Sequence, residues 1–265
     1  MVEAVVNYIA PMAVRPRFHA DDQSRDILSL DPQRVEIADA RTVTPAPTLE
    51  RDGFVLVPHA SAVSDFGDPA AADRVYQPEV RGLILALSGA DDVVISSPSL
   101  LRFGERSPTS GKLHNSRPAR FIHVDIDDAT AAAFARAAAP GRAVRRYAHY
   151  NIWRSFSGAP QDVPLAVCDA RSVAAEDLVE ADAIFDRKGQ PEWSFTALLL
   201  RHNPAHRWRY FSGMEPDEAL VFKTNDSDPA QPHCIPHSAF DDPTAPPGTH
   251  PRSSIETRAT AFWFD

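Results

Sequence analysis

The chain has 265 residues, 43% of them hydrophobic, and a net charge of -9 with no cluster of lysine and arginine. That balance disfavours nucleic acid, whose binding rests on cationic contacts to phosphate, and an anionic membrane surface. No apolar run approaches the ~20 residues of a membrane span, and the stretch from Met1 to Pro11 carries Glu3 without the basic and apolar regions of a signal peptide.

Strand-like runs, short and rich in β-branched or aromatic residues, recur at 4–9, 35–38, 54–57, 93–97, 121–126, 147–156, 165–169, 193–200, 208–211, 219–223, 234–240 and 255–264. Two stretches read as helix. In 69–88, Val75, Val80, Leu83, Ile84 and Leu87 fall at helical spacing, and Pro78 is expected to kink or split the run. The segment 127–139 is alanine-rich, opens on acidic caps and stops at Pro140-Gly141. A helical turn is expected at 174–179. Strands without βαβ alternation predict a mainly β chain, an antiparallel barrel or jelly roll with a few flanking helices. One domain, 1–265, is expected, with 1–60 as a small N-terminal sheet extension packed on the barrel. The segment 106–120, rich in Ser, Pro, Lys and Arg, reads as a mobile loop that could serve as a lid. Cys168 and Cys234 are too few for a disulfide framework, so a reducing, cytoplasmic home is the default. Cys168, in an apolar run, reads as a small buried residue.

The chemistry is carried by Phe121-Ile-His-Val-Asp-Ile126. In a strand, side chains two apart share a face, so His123 and Asp125 aim together. With one distant His from a neighbouring strand they make the two-His, one-carboxylate set that binds non-haem Fe(II) and leaves positions open for a co-substrate and O2. His19-Ala-Asp21 repeats the spacing in a polar stretch and reads as a solvated loop. His233 and His237 flank Cys234, a spacing that could also suggest zinc. In an extended segment they lie ~13 Å apart, so one metal is expected to take only one of them. His237, with apolar flanks, is the better third ligand. Arg258, with Thr260 two residues on, opens an apolar strand and can pair bidentately with the far carboxylate of a dicarboxylate. Arg252, with Ser254, is the rival. Asn151, Trp153, Arg154 and Lys223 are candidate substrate contacts; Asn151 and Trp153 share one strand face and Arg154 takes the other. Trp208 and Tyr210 read as core.

The same segments resemble the hydroxylase/desaturase family of Fe(II)/2-oxoglutarate oxygenases, which includes the cephamycin 7α-hydroxylase component and fungal gibberellin-desaturase-like enzymes. The resemblance runs from about Asp52 to the C-terminus. It rests on Phe121–Asp125, Asn151-Ile-Trp-Arg154, Pro164–Arg171, Leu200–Trp208, Pro216–Lys223, Asp226-Ser227, Pro236–Pro243 and Ser254-Ile-Glu-Thr-Arg258. It implies a double-stranded β-helix with Fe(II) on His123, Asp125 and His237, 2-oxoglutarate on Arg258, and O2 as oxidant. Relatives often continue the metal motif with an aromatic residue and Thr; here Ile126 and Asp127 follow, so a different pocket wall is expected. The substrate expected is a small natural-product or amino-acid-derived molecule. The oligomeric state stays open, with a homodimer as one option. Two alternatives stand beside this reading: a cupin-like metal enzyme that does not use 2-oxoglutarate, and a non-catalytic β-sandwich.

Overall fold

The computed structural model describes residues 1–265. In chain order its strands are β1 (Val2–Ile9), β2 (Arg17–His19), β3 (Leu30–Asp39), β4 (Phe54–Pro58), β5 (Asp92–Ile95), β6 (Leu100–Phe103), β7 (His123–Val124) and β8 (Val144–Ser155). They continue with β9 (Leu165–Cys168), β10 (Leu178–Phe185), β11 (Trp193–Leu200), β12 (Trp208–Tyr210), β13 (Glu218–Asp226), β14 (His237–Ala239) and β15 (Ser253–Phe264). The helices are α1 (Pro69–Ala71) and α2 (Gln77–Ser88), joined through a π-helical turn at Ala72–Tyr76, and α3 (Asp128–Ala138).

The strands form two sheets. One runs β1-β3-β12-β9-β14-β7-β11-β10-β2; the other runs β4-β13-β8-β15-β5, with β6 also on β15. Pairing is antiparallel except for β10 with β2 and β12 with β3. The sheets face each other as a double-stranded β-helix, the jelly-roll arrangement. The N-terminal strands extend both layers, β1 and β3 through β12 and β4 on the edge beside β13.

Alternation along each strand decides what fills the space between the sheets. On β8, Tyr150 and Ile152 turn outward and pack with Tyr76, Val80 and Ile84 of the helical segment. Trp153 turns inward and packs with Phe54, Leu165, Val167, Leu220 and Phe222. Asp68 and Asp127 cap α1 and α3 by accepting from backbone N–H groups. Gly89 ends α2 in the left-handed conformation that a residue with a Cβ resists. Pro78 does not split the helix. It sits in the first turn of α2, where its missing N–H is tolerated, and the irregularity is taken up by the π-turn before it.

The short helical turn expected at 174–179 is present as a 3-10 turn, Ala175–Asp177, after which the chain extends into β10. One further expectation changes. His19 is not in a solvated loop: it is buried at the end of β2, paired with β10, and its backbone N–H and ring meet the Asp26 carboxylate. No helix is long and apolar enough to cross a membrane.

Candidate metal centre

The pairing of two strands assembles the centre. On β7, His123 stands directly opposite His237 of β14, and Asp125 follows two residues on. A cross-strand pair places side chains on one face at close range, and the two imidazole centroids are 4.3 Å apart. One ligand atom from each of His123, Asp125 and His237 lies within 4.8 Å of the others, and all three residues are buried.

Each histidine is held in the tautomer a metal needs. His123 Nδ1 is 3.1 Å from the Phe121 carbonyl oxygen, and His237 Nδ1 is 3.1 Å from that of Ile235. A carbonyl only accepts, so both Nδ1 atoms carry the proton and both Nε2 lone pairs are free. Burial, and then the neighbouring His237, push the His123 pKa down to about 3, so its ring is neutral and ready to ligate.

Asp125 is gripped from the opposite sheet. Asn151 of β8 and Arg258 of β15 are a cross-strand pair. Asn151 Nδ2 donates to Asp125 Oδ2 at 2.5 Å, and Arg258 Nη2 donates to Oδ1 at 3.2 Å. Burial works to raise the Asp125 pKa. Arg258, the two histidines and the Asn151 bond outweigh it and hold the carboxyl below the usual carboxylate range.

Arg258 also lies 2.8 Å from Glu256 Oε1, near enough for an ion pair but out of line for a hydrogen bond. Arg102 Nε lies 3.9 Å from the other Glu256 oxygen. Sequence reasoning missed both Arg102 and Glu256. Glu256 sits two residues before Arg258 on the same strand face, which was the available signal. Nothing local marked Arg102, which is brought in by β6 pairing with β15. Arg252 Nε, Glu256 Oε1 and Arg258 Nε are buried without hydrogen-bond partners. All three belong to even-numbered positions at or beside β15, the face turned between the sheets.

Two cavities meet here. The smaller is lined by Arg102, His123, Asp125 and Arg258 among others. The larger, about 810 Å³, is lined by Asp125, His149, Asn151 and Arg258 and by aromatic side chains. Ile126 and, from α3, Phe134 line it as well, so the residues after the metal motif do build its wall. Leu113 and His114 of the 106–120 segment border the larger cavity, and Asn115 and Ala119 the smaller. That segment is tied down: His114 Nδ1 and the Asn115 N–H both meet Asp21, and Arg102 Nη1 donates to the Asn115 and Arg117 carbonyls.

Several sequence candidates lie elsewhere. The outward side of β8 carries Arg154, whose guanidinium is consumed by the carbonyls of His59 and Pro216 and by Tyr76 Oη. Lys223 points away from the centre and is paired with Asp226 at 2.8 Å. The opposing Phe222 is the one that faces inward, against His237. Thr260 does not reach a co-substrate; its hydroxyl is bonded to Ser96 and His149. Trp153 faces inward but is core, with Arg252 over its ring at 5.6 Å. Arg252 is fully enclosed, donates Nη1 to the Val163 carbonyl and lines neither cavity. His233 meets Asp128 and the Asp226 carbonyl, so the zinc grouping with His237 and Cys234 is not formed.

Residues 6–262 match the family model described as "Oxidoreductase/YMDC permease-like domain". The chain is 30% identical to hydroxylase/desaturase CTB9 of Cercospora beticola over 82% of its own length and 72% of the relative's. It is also 30% identical to the Fe(II)/2-oxoglutarate-dependent dioxygenase nvfI of Aspergillus novofumigatus, over 87% of this chain and 84% of that one. Among solved structures, the iron and alpha-ketoglutarate-dependent endoperoxidase NvfI superposes with a TM-score of 0.84 at 25% identity, covering 99% of this chain and 98% of that one.

Proposed function

This chain belongs to that oxidoreductase family, shared with the Fe(II)/2-oxoglutarate-dependent hydroxylases and desaturases, and we propose that His123, Asp125 and His237 hold its iron and Arg258 its 2-oxoglutarate. The enzyme is an Fe(II)/2-oxoglutarate-dependent oxygenase, with O2 as the second co-substrate. The observation that carries the site assignment is the convergence of three buried ligand atoms within 4.8 Å, both imidazoles with Nε2 free.

The charges around the smaller cavity support the pairing of metal and dicarboxylate. With both carboxylates ionised, Arg102 and Arg258 balance Asp125 and Glu256, and the histidines add nothing. A divalent metal leaves the cluster with two positive charges, which a dicarboxylate dianion brings back to zero. The unpartnered Arg258 Nε offers that dianion a buried donor. Arg258 fits better than Arg252 because its guanidinium borders the cavity that His123 and Asp125 border. Arg252 keeps one unpartnered Nε but has no opening toward the centre.

When bound, Fe(II) with 2-oxoglutarate and O2 supplies the oxidant that removes hydrogen from a substrate carbon. The protein's own work is placement. Asn151 fixes the plane of the Asp125 carboxylate, so that Oδ1 faces the His123 imidazole. Phe121, His123, Phe222 and His237 form a row of rings that keeps water from the ligand side. The substrate proposed is a small organic molecule in the larger cavity, whose wall includes Asp125 and so reaches the metal. The test is succinate formation from 2-oxoglutarate with Fe(II) and O2. Wild type is expected to release it slowly without substrate, and Asp125→Ala and His237→Ala not at all above background. Undiminished release by Asp125→Ala contradicts the assignment.

A further inference from the structure

The larger cavity is far bigger than the co-substrate needs, and its lining is specific in kind. At about 810 Å³ it sits toward the upper end of the roughly 300–1,000 Å³ that drug-sized ligands occupy. One wall is a ladder of aromatic rings on the β10–β11 hairpin. Phe185 stacks on Trp193, with centroids 4.5 Å apart and planes 19° apart, and on Phe195 at 5.3 Å and 27°. From α3, Phe134 meets Phe195 edge-on at 5.5 Å. All four line the cavity. Trp193 is 51% exposed, so one face of the ladder stays open to a ligand.

Apart from Arg187, the charged groups and several of the polar groups that line the same cavity are already engaged; Ser97, Tyr150, Gln190 and Thr224 line it with no side-chain hydrogen bond. Asn151 is spent on Asp125, and His149 on the Ala131 carbonyl and Thr260. Asp73 accepts from Gln77 and the Ser99 N–H. Past the Asp125–Arg258 end, the charged group left is Arg187, which is exposed at the rim. A free amino acid, a sugar or a nucleotide presents charges or many hydroxyls whose burial costs free energy unless each finds a partner. Past the metal end, this cavity offers a charge only Arg187, and hydroxyls only those four neutral side chains. Flat apolar rings, in contrast, find offset-stacking and edge-on partners along the hairpin.

Resting on the site reading above, we infer that the substrate is a neutral, largely apolar molecule built on fused or aromatic rings, and that Phe185, Trp193 and Phe195 select it. This narrows the substrate from a natural product or amino-acid derivative to the first of these, and to its ring-bearing, uncharged members.

The test is equilibrium dialysis of the full chain, loaded anaerobically with Fe(II) and 2-oxoglutarate, against testosterone, flavone and 9-anthracenemethanol as ring probes and L-leucine as the charged comparison. At least one ring probe is expected to bind ~100-fold more tightly than L-leucine. Trp193→Ala is expected to weaken that probe ~10-fold, the scale of losing one aromatic contact and its buried area, and Trp193→Phe to restore most of it. Because Trp193 is half exposed, its truncation leaves the core intact; Phe195→Ala serves as a second variant with the same expected direction. The visible band of the Fe(II)–2-oxoglutarate complex is recorded on each sample. A band that persists while ring probes bind no better than L-leucine, or bind Trp193→Ala and Phe195→Ala as they bind wild type, overturns the inference alone. A missing wild-type band faults the metal and co-substrate assignment instead, and the dialysis result still decides the cavity's preference.

Discussion

Asn151 on β8 and Asp125 beyond β7 are joined across the space between the two sheets by a 2.5 Å hydrogen bond with both side chains buried. The bond fixes one carboxylate oxygen and leaves the other, Oδ1, 3.7 Å from His123 Nε2. Bonds of this kind orient a metal ligand without touching the metal, and their loss costs about 10–100-fold in affinity. Asn151→Ala is therefore expected to weaken Fe(II) binding by about that factor while the chain stays folded. An anaerobic Fe(II) titration with a competing chelator measures it; unchanged affinity would show that Arg258 alone holds the carboxylate.

Arg154 is expected to matter for stability rather than chemistry. Its buried guanidinium donates to the fully buried Tyr76 hydroxyl and to the carbonyls of partly buried His59 and exposed Pro216, and Arg154→Ala leaves the Tyr76 hydroxyl without a partner. At about 1–3 kcal/mol for one buried group left unsatisfied, a loss of about that size in urea unfolding is expected. The Fe(II) affinity of the folded fraction is expected to be unchanged.

Much of this was legible in the sequence. Period-two patterning marked the long strands, and the i, i+2 rule put His123 and Asp125 on one face because β geometry is local. The Asp127 cap and Pro140-Gly141 bounded α3 closely for the same reason. What failed was non-local. That Asn151 would spend itself on Asp125, or that Glu256 would meet Arg102, depends on register between strands far apart in the chain. Strands β2, β6 and β10 were missed: β2 and β6 are only three and four residues long, and β10 carries Glu180 and Asp182 beside alanines, so pairing with a neighbour decides these segments more than propensity does. Arg154 and Lys223 were overvalued because a charged residue on a mostly buried strand looks functional until its partners are known.

His149 gives the fold a pH dependence. Burial lowers its pKa to about 4 from the ordinary value of 6.5, so it is neutral when folded. Between these values the unfolded chain binds the extra proton, and stability falls as pH falls through that window. For His149 alone the loss from pH 7 to pH 5 is about 2 kcal/mol. His149→Gln is expected to lose correspondingly less over that range in urea unfolding of the metal-free chain. Parallel curves for the two proteins would contradict the assignment.

Both thiols are expected to be inert in the native state. Burial pushes Cys168 and Cys234 up to about 12, so at pH 8 almost no thiolate exists at either. An aromatic disulfide reagent is expected to find no fast-reacting thiol in the folded protein and two after denaturation. A fast native phase would mean that one of them is reached by solvent.

The most direct test of the central claim is an anaerobic titration with Fe(II) and then 2-oxoglutarate, followed by the visible charge-transfer band of their chelate, on wild type, His123→Ala and Arg258→Ala. The arrangement predicts a band in wild type, its loss in His123→Ala, and a requirement for far more 2-oxoglutarate in Arg258→Ala. A band that forms normally without His123, or an Arg258→Ala protein that saturates at the wild-type concentration, would contradict it.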